Sequence, residues 1–165
     1  QWVQRSFAAL AEMMPGRYAR TESAAGPDAS PATPPDLVPR FAAAREALEA
    51  GRNEDARAQL KSLLEIDPLN AGALNRLGVA ERRLGRFAEA RAAYERAIAA
   101  DPACAEAERN LGVLLALYLG DPGQALAHYE RYQSLAGEVD TQVAAWLVEV
   151  RTRLGRVPRT AEVQP

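Results

Sequence analysis

A 34-residue echo runs through the middle of this sequence. Asp67-Pro68 returns as Asp101-Pro102, Gly51 as Gly85, and Leu77-Gly78 as Leu111-Gly112. Ala56 and Ala90 keep the same offset, as do Leu60 and Tyr94, and Leu63 and Ala97. Several independent registers that share one period identify a repeat architecture. In such a chain no unit can bury its apolar face alone, so stacked units share one elongated core. The supply is adequate: 48% of the 165 residues are apolar and 25% are charged, enough for one domain with a core.

Each unit divides into two helices. In the middle unit Asn70 is placed to cap a helix running to about Leu84, and Gly85 offers a left-handed stop at little steric cost. A second helix covers about Phe87 to Ala100, closed by Asp101-Pro102. Small residues Gly78, Ala90 and Ala97 let the helices approach, while Leu74, Leu77, Phe87, Tyr94 and Ile98 fill the space between them.

The run from Leu77-Gly78 through Gly85, Phe87, Ala90, Tyr94, Ala97 and Pro102 resembles the tetratricopeptide repeat (TPR) family. The resemblance implies an all-α fold, a right-handed superhelical solenoid of antiparallel helix pairs, here three units plus a C-terminal capping helix. The first unit, about 37–70, keeps Gly51, Ala56, Leu60, Leu63 and Pro68, with Ala43-Ala44 where the middle unit has Leu77-Gly78. The third starts at Ala105 and carries one extra residue, expected in the turn Gly120-Asp121-Pro122-Gly123. Tyr132 stands where the pattern wants a small side chain, so this pair is expected to splay. A last helix over about 141–154, capped by Asp140 and ended by Gly155, serves as the solvating cap. The repeat domain is expected over 37–156, with a tail at 157–165.

Ahead of it, Val3, Phe7, Leu10 and Met14 have helical spacing, so residues 1–17 read as a short amphipathic helix ended by Pro15-Gly16. Pro27, Pro31, Pro34, Pro35 and Pro39 then mark 18–36 as a Pro/Ala-rich linker. A tethered amphipathic helix is a candidate occupant of its own groove, or a device for a homodimer through residues 1–14.

The family binds extended peptides or partner helices in the concave groove lined by the first helix of each pair. Carried onto this chain, the groove positions are Phe41, Arg45 and Leu48 in the first unit, and Asn75, Arg76, Val79 and Arg83 in the second. Arg109, Asn110, Val113 and Leu117 follow in the third, and Trp146 in the last helix. Asparagine offers peptide backbone both a donor and an acceptor. Arginine clamps a carboxylate with two parallel hydrogen bonds. Arg45, Asn75-Arg76 and Arg109-Asn110 therefore imply a polar track for an acidic or C-terminal segment. The same arginines also read as ordinary solvated surface, and Phe41, Leu48, Val113 and Leu117 as an apolar groove. One family subtype clamps the carboxylate tails of chaperones with lysines and asparagines. Here Phe41, Arg76 and Glu106 replace three of those residues, so that activity is not carried over.

The function expected is a non-enzymatic protein–protein interaction module, an adaptor or assembly factor. The alternative is a structural oligomerisation module using the first helix or the groove. Cys104 and His128 are single residues of their types, so no disulfide, metal or cofactor site and no nucleophile–base set is expected. Lys+Arg 20 against Asp+Glu 22, with sparse aromatics, argues against nucleic acid. The longest apolar run, Val113 to Leu119, is too short to span a bilayer.

Leu117-Tyr118-Leu119-Gly120-Asp121, Ala127-His128-Tyr129 and Tyr132, followed by an Asp140-led helix with Trp146, resemble repeat proteins of bacterial envelope systems. With a start at Gln1 rather than methionine, this favours a periplasmic or outer-membrane-tethered lipoprotein over the cytoplasmic alternative.

Overall fold

The structure, a computed structural model, describes residues 37–137 and 140–156. The expected helix at 1–17 with its dimer role, the linker at 18–36 and the tail at 157–165 lie outside the described residues.

Seven α-helices follow one another in these residues: α1 (Leu37–Glu49), α2 (Asn53–Ile66), α3 (Ala71–Arg83), α4 (Phe87–Ala100), α5 (Ala105–Leu114), α6 (Pro122–Ala136) and α7 (Thr141–Arg156). They form an all-α solenoid of paired antiparallel helices with α7 as the cap. Each helix packs on the next. The first helices of successive units also touch, α1 on α3 and α3 on α5, which lines them up along one face.

The punctuation in the sequence sets these boundaries. Asn70 Oδ1 accepts the Ala73 N–H at 2.9 Å and satisfies an orphan donor at the start of α3. Gly85 ends the same helix at φ 76°, a conformation that penalises any Cβ, and lets the Arg86 N–H reach back to the Glu81 carbonyl at 2.8 Å. Asp121 caps α6 by accepting the Gln124 N–H at 2.9 Å, with Pro122 in the first turn where its missing N–H costs nothing. That bond holds the Asp121 carboxyl below its ordinary value. Asp140 does the same for α7, accepting from the N–H groups of Gln142 and Val143 at 2.9 and 3.1 Å.

The extra residue of the third unit sits elsewhere than expected. It is taken up inside the first helix, where α5 continues as a π-helical stretch over Leu115–Leu119, before Gly120 turns the chain at φ 67°. A π turn inserts one residue without breaking the helix. The wider turn brings the Tyr118 ring to 4.9 Å from Phe87 and leaves Tyr118 and Leu119 partly exposed.

Two large apolar clusters fill the stack. One joins Leu37, Phe41, Leu60, Leu63, Leu74 and Leu77; the other joins Tyr94, Leu111, Leu114, Tyr129, Val143 and Leu147. Two carboxylates are buried with them, each met by basic side chains from the neighbouring helix. Glu81 meets Arg57 Nε at 2.9 Å, which raises the Arg57 pKa further. Glu108 meets His128 Nδ1 at 2.6 Å and Arg131 Nε at 2.8 Å. Tyr132 is half-buried, and its hydroxyl donates to Asp140 Oδ2 at 2.9 Å, so the large side chain ties α6 to the cap of α7.

Candidate peptide-binding groove

An amide pair joins two of the first helices. Asn110 Nδ2, on α5, donates to Asn75 Oδ1, on α3, at 2.9 Å. Both side chains are more than nine-tenths buried. Among the described residues Asn75 Nδ2 and Asn110 Oδ1 make no further hydrogen bond. The bond leaves a donor on Asn75 and an acceptor on Asn110, the complement of a peptide unit.

Five arginines, Arg45, Arg76, Arg82, Arg83 and Arg109, stand on the three first helices α1, α3 and α5. The Arg76 guanidinium lies 4.4 Å from the Phe41 ring centre, a cation–π arrangement that orders both side chains. Arg109 lies 5.6 Å from the Tyr132 ring and 3.9 Å from Asp140. Arg82 lies 5.8 Å from the Tyr118 ring. Arg83 donates to the Leu48 carbonyl at 2.6 Å and clips α3 to the end of α1. Arg45 is exposed and pairs with Glu49 at 3.8 Å.

The other expected groove residues are placed at different depths. Leu48 and Val113 are buried in the apolar clusters, and Val113 is only 1% exposed. Val79 and Leu117 are half-buried beside them. Trp146 is half-buried against Tyr129, ring centres 5.6 Å apart. Phe41 is buried too, yet it lines a cavity of about 170 Å³ with Leu37, Val38, Ala42, Arg45, Leu63 and Asn70. Sequence reasoning missed this cavity. Its only signal was alanine at position 42, too small to close the space beside Phe41. Tyr118 was missed as well, although its cue was visible. Gly120 follows Gly112 by eight positions, where Gly85 follows Gly78 by seven.

Nothing in this face resembles a reaction centre. Burial pushes the Cys104 thiol up, away from the reactive thiolate form. Among the described residues there is no cluster of His, Cys, Asp and Glu able to hold a metal ion, and no helix long and apolar enough to cross a membrane.

A solenoid of paired antiparallel helices belongs to the helical-repeat class of proteins. The sequence pattern of the tetratricopeptide repeat matches residues 41–103 and 80–137, more than half of the chain, and the chain belongs to that family. No curated protein matches it in sequence. Solved structures do. The Sgt2 TPR domain from Aspergillus fumigatus matches with a TM-score of 0.70 at 22% identity, over 82% of this chain and 90% of that one. The type III secretion chaperone SycD of Yersinia enterocolitica, in complex with a peptide of the translocator YopD, matches at 0.67 and 18%, over 72% and 95%. The first TPR of Spaghetti (RPAP3), bound to the HSP90 peptide SRMEEVD, matches at 0.67 and 19%, over 72% and 93%. At these identities the likeness shows the fold.

The expected periplasmic or outer-membrane-tethered location is corrected by the same comparisons. The SycD- and PcrH-type secretion chaperones that this chain is similar to are cytoplasmic, neither periplasmic nor membrane-tethered. The short motifs that suggested an envelope protein are helix-packing residues. Tyr118 covers Phe87, Tyr129 is buried in the core and Trp146 packs on it.

Proposed function

We propose that this chain is a non-catalytic adaptor or assembly module that binds an acidic peptide segment along the face lined by α1, α3 and α5. The observation that carries this reading is the Asn75–Asn110 pair. A polar pair more than nine-tenths buried, with a donor and an acceptor left outside its own bond, fits an extended peptide backbone better than a dry helix contact. The arginines on the same helices add preference for carboxylates. The peptide complexes of SycD and of RPAP3 support the reading, since both proteins bind a peptide and share this fold. The lysines of the chaperone-tail clamp are replaced here, so the expected segment is acidic without being such a tail. The arginine bias, with Lys61 as the one lysine, supports a bacterial, GC-rich source.

The test is fluorescence anisotropy with an array of labelled acidic peptides, read against an Arg76→Ala plus Arg109→Ala variant. Loss of about tenfold or more in affinity, one clamped carboxylate's worth, is expected. Equal affinity for the variant sinks the reading.

A second reading has a specific observation behind it. SycD, similar in fold, has also been solved as an alternative dimer. Self-association of this chain is tested by light scattering across concentration with and without residues 1–20. A dimer lost on truncation makes the first segment an assembly element; a monomer in both cases removes this reading.

A further inference from the structure

Among the described residues α7 is a first helix without a second. Val143, Leu147 and Val150 repeat the spacing of Ala73, Leu77 and Ala80 in α3, and both sets are buried where the helix packs on the one before it. The position after the middle member seats the second helix: Gly78 lies under Tyr94, and Gly112 under Tyr129. In α7 that position is Val148, 64% exposed, and no described helix covers it. A side chain at this seat has a precedent in the first unit, where Ala44 and Leu60 take the two positions, both fully buried. Thr141, Ala145 and Thr152 flank Val148 and are exposed as well. The Thr152 hydroxyl is met within α7, donating to the Val148 carbonyl at 2.7 Å. Arg151, one turn beyond Val148, pairs with Glu130 at 2.7 Å. The outer side of a terminal repeat is ordinarily polar. This one is nearly uncharged where a second helix would lie.

The matching half-unit stands near the start of the sequence. The second helices α2 and α4 share one register: Ala56, Leu60, Leu63, Leu64 and Pro68 in one, Ala90, Tyr94, Ala97, Ile98 and Pro102 in the other. Val3, Phe7, Leu10, Ala11 and Pro15 reproduce it position for position. The first three members are at most 1% exposed in α2 and α4. The same pattern at Val3, Phe7 and Leu10 therefore calls for a first helix to bury it.

We infer that residues 1–15 dock on α7 of the same chain as its second helix, with Phe7 over Val148, and close a fourth unit. Direction and reach support this occupant. A second helix runs antiparallel to its first, so Pro15 comes to the start of α7 at Thr141. Successive helices alternate in direction, so Leu37, the start of α1, lies on that same edge. Three steps between neighbouring first helices, about 10 Å each, separate the two points. Residues 16–36 reach up to about 65 Å as extended proline-rich chain, so the connection need not cross the stack. A tethered segment also meets its seat at a higher effective concentration than a second copy does. Residues 18–36 do not suit the seat themselves: Tyr18 is their one large apolar side chain, and Pro27, Pro31, Pro34 and Pro35 break any helix. Residues 157–165 leave six positions between Pro158 and Pro165, under two turns. The open side of α1 is the other first-helix face available, but Arg40 and Glu46 are exposed there and suit water. The face on α7 lies apart from the Asn75–Asn110 pair, so the inference does not depend on the peptide reading.

The experiment traps the contact in the full chain, with Cys104→Ser to remove the native thiol. Phe7→Cys plus Val148→Cys should oxidise to a crosslink within one chain. It should do so about tenfold faster than Arg5→Cys plus Val148→Cys, or Phe7→Cys plus Ala43→Cys, because a disulfide needs Cα atoms within about 7 Å. Arg5 is off the apolar stripe, and Ala43 reports docking on α1. Equal rates for the three pairs overturn the inference. Crosslinks chiefly between chains, or faster trapping at Ala43, give the segment to a second copy or to α1 and overturn it too. Hydrogen exchange supplies a readout without cysteines. Amides of residues 3–14 should exchange about tenfold more slowly in the wild type than in Val148→Asp, while those of α4 stay unchanged. Equal exchange of residues 3–14 in the two proteins overturns the docking.

Discussion

Tyr94 rests directly on Gly78: a Cβ built on that glycine would lie 2.5 Å from Tyr94 Cε1. The third unit repeats the arrangement, with Gly112 and Tyr129 at 2.6 Å. Both tyrosines are almost fully buried, so neither ring has room to retreat. Gly78→Ala should therefore destabilise by about 1–2 kcal/mol, an overpacking cost only partly offset by alanine's better helix propensity. The first unit uses Ala44 and Leu60 at the equivalent positions, both fully buried. Gly78→Ala combined with Tyr94→Leu should recover most of the stability that Gly78→Ala loses relative to Tyr94→Leu alone. Urea unfolding of the four proteins measures this coupling. Strict additivity contradicts the account, and Gly123→Ala, whose Cβ would find only Asp121 Oδ1 at 3.6 Å, serves as the near-neutral control.

The amide pair makes a prediction about stability as well as binding. Asn75→Ala leaves the Asn110 amide without its acceptor in a nearly buried place, and Asn110→Ala does the converse. Each should cost about 1–2 kcal/mol. The double variant should cost clearly less than the sum, since no orphaned amide remains. A double-mutant cycle by chemical denaturation decides. A coupling energy within error of zero means the two side chains do not bond in solution.

The alkaline limb of stability should depend on Tyr132. Burial first, and then the bond to Asp140, raise its pKa above the ordinary 10.0, while Arg109 partly opposes them. The folded state thus keeps the phenol proton to higher pH than the unfolded state does. The contribution is fully present below the unfolded pKa and is lost as pH rises through the folded one. Melting temperatures of the wild type and Tyr132→Phe, followed from about pH 8 to about pH 11, should converge at the alkaline end, around and above the usual tyrosine pKa. A constant gap between them would show that the hydroxyl is not linked to folding.

Much of the fold was legible because helix punctuation is local chemistry. Asn70, Gly85, Asp121 and Asp140 announce ends through groups within a few residues of themselves, and the structure uses each at that place. The π stretch was not legible in the same way. Spacing showed that one residue was surplus between Gly112 and Gly120, but the apolar run Val113 to Leu119 carries no mark of where a helix widens. The amide pair was only half legible. Repeat spacing sets Asn75 beside Arg109 and Arg76 beside Asn110 as equivalents, 34 apart, yet the bond forms between Asn75 and Asn110. Period identifies equivalent positions, whereas contact across stacked helices is diagonal and depends on their crossing. The buried carboxylates Glu81 and Glu108 were unreadable for a related reason. In a helical chain rich in charge, only the partners brought by neighbouring helices distinguish a buried glutamate from a solvated one.

The capping helix supplies the last prediction. Val143, Leu147 and Val150 of α7 are between 0% and 4% exposed and close one end of the second apolar cluster. Trp146 adds its contact with Tyr129. A stack of three units is near the minimum that supports itself, so its end cover matters more than in a long array. Ending the chain at Gly137 should lower stability by more than about 2 kcal/mol, the burial of two or three aliphatic side chains. Point variants separate cover from mere length. Leu147→Ala should cost about 2–5 kcal/mol, the usual range for emptying a buried leucine site. Val148→Ala, at a neighbouring position that is 64% exposed, should change stability by less than about 0.5 kcal/mol. Thermal and urea melts of the three proteins check this. A truncated chain as stable as the full one, or equal effects at 147 and 148, contradicts the role assigned to α7.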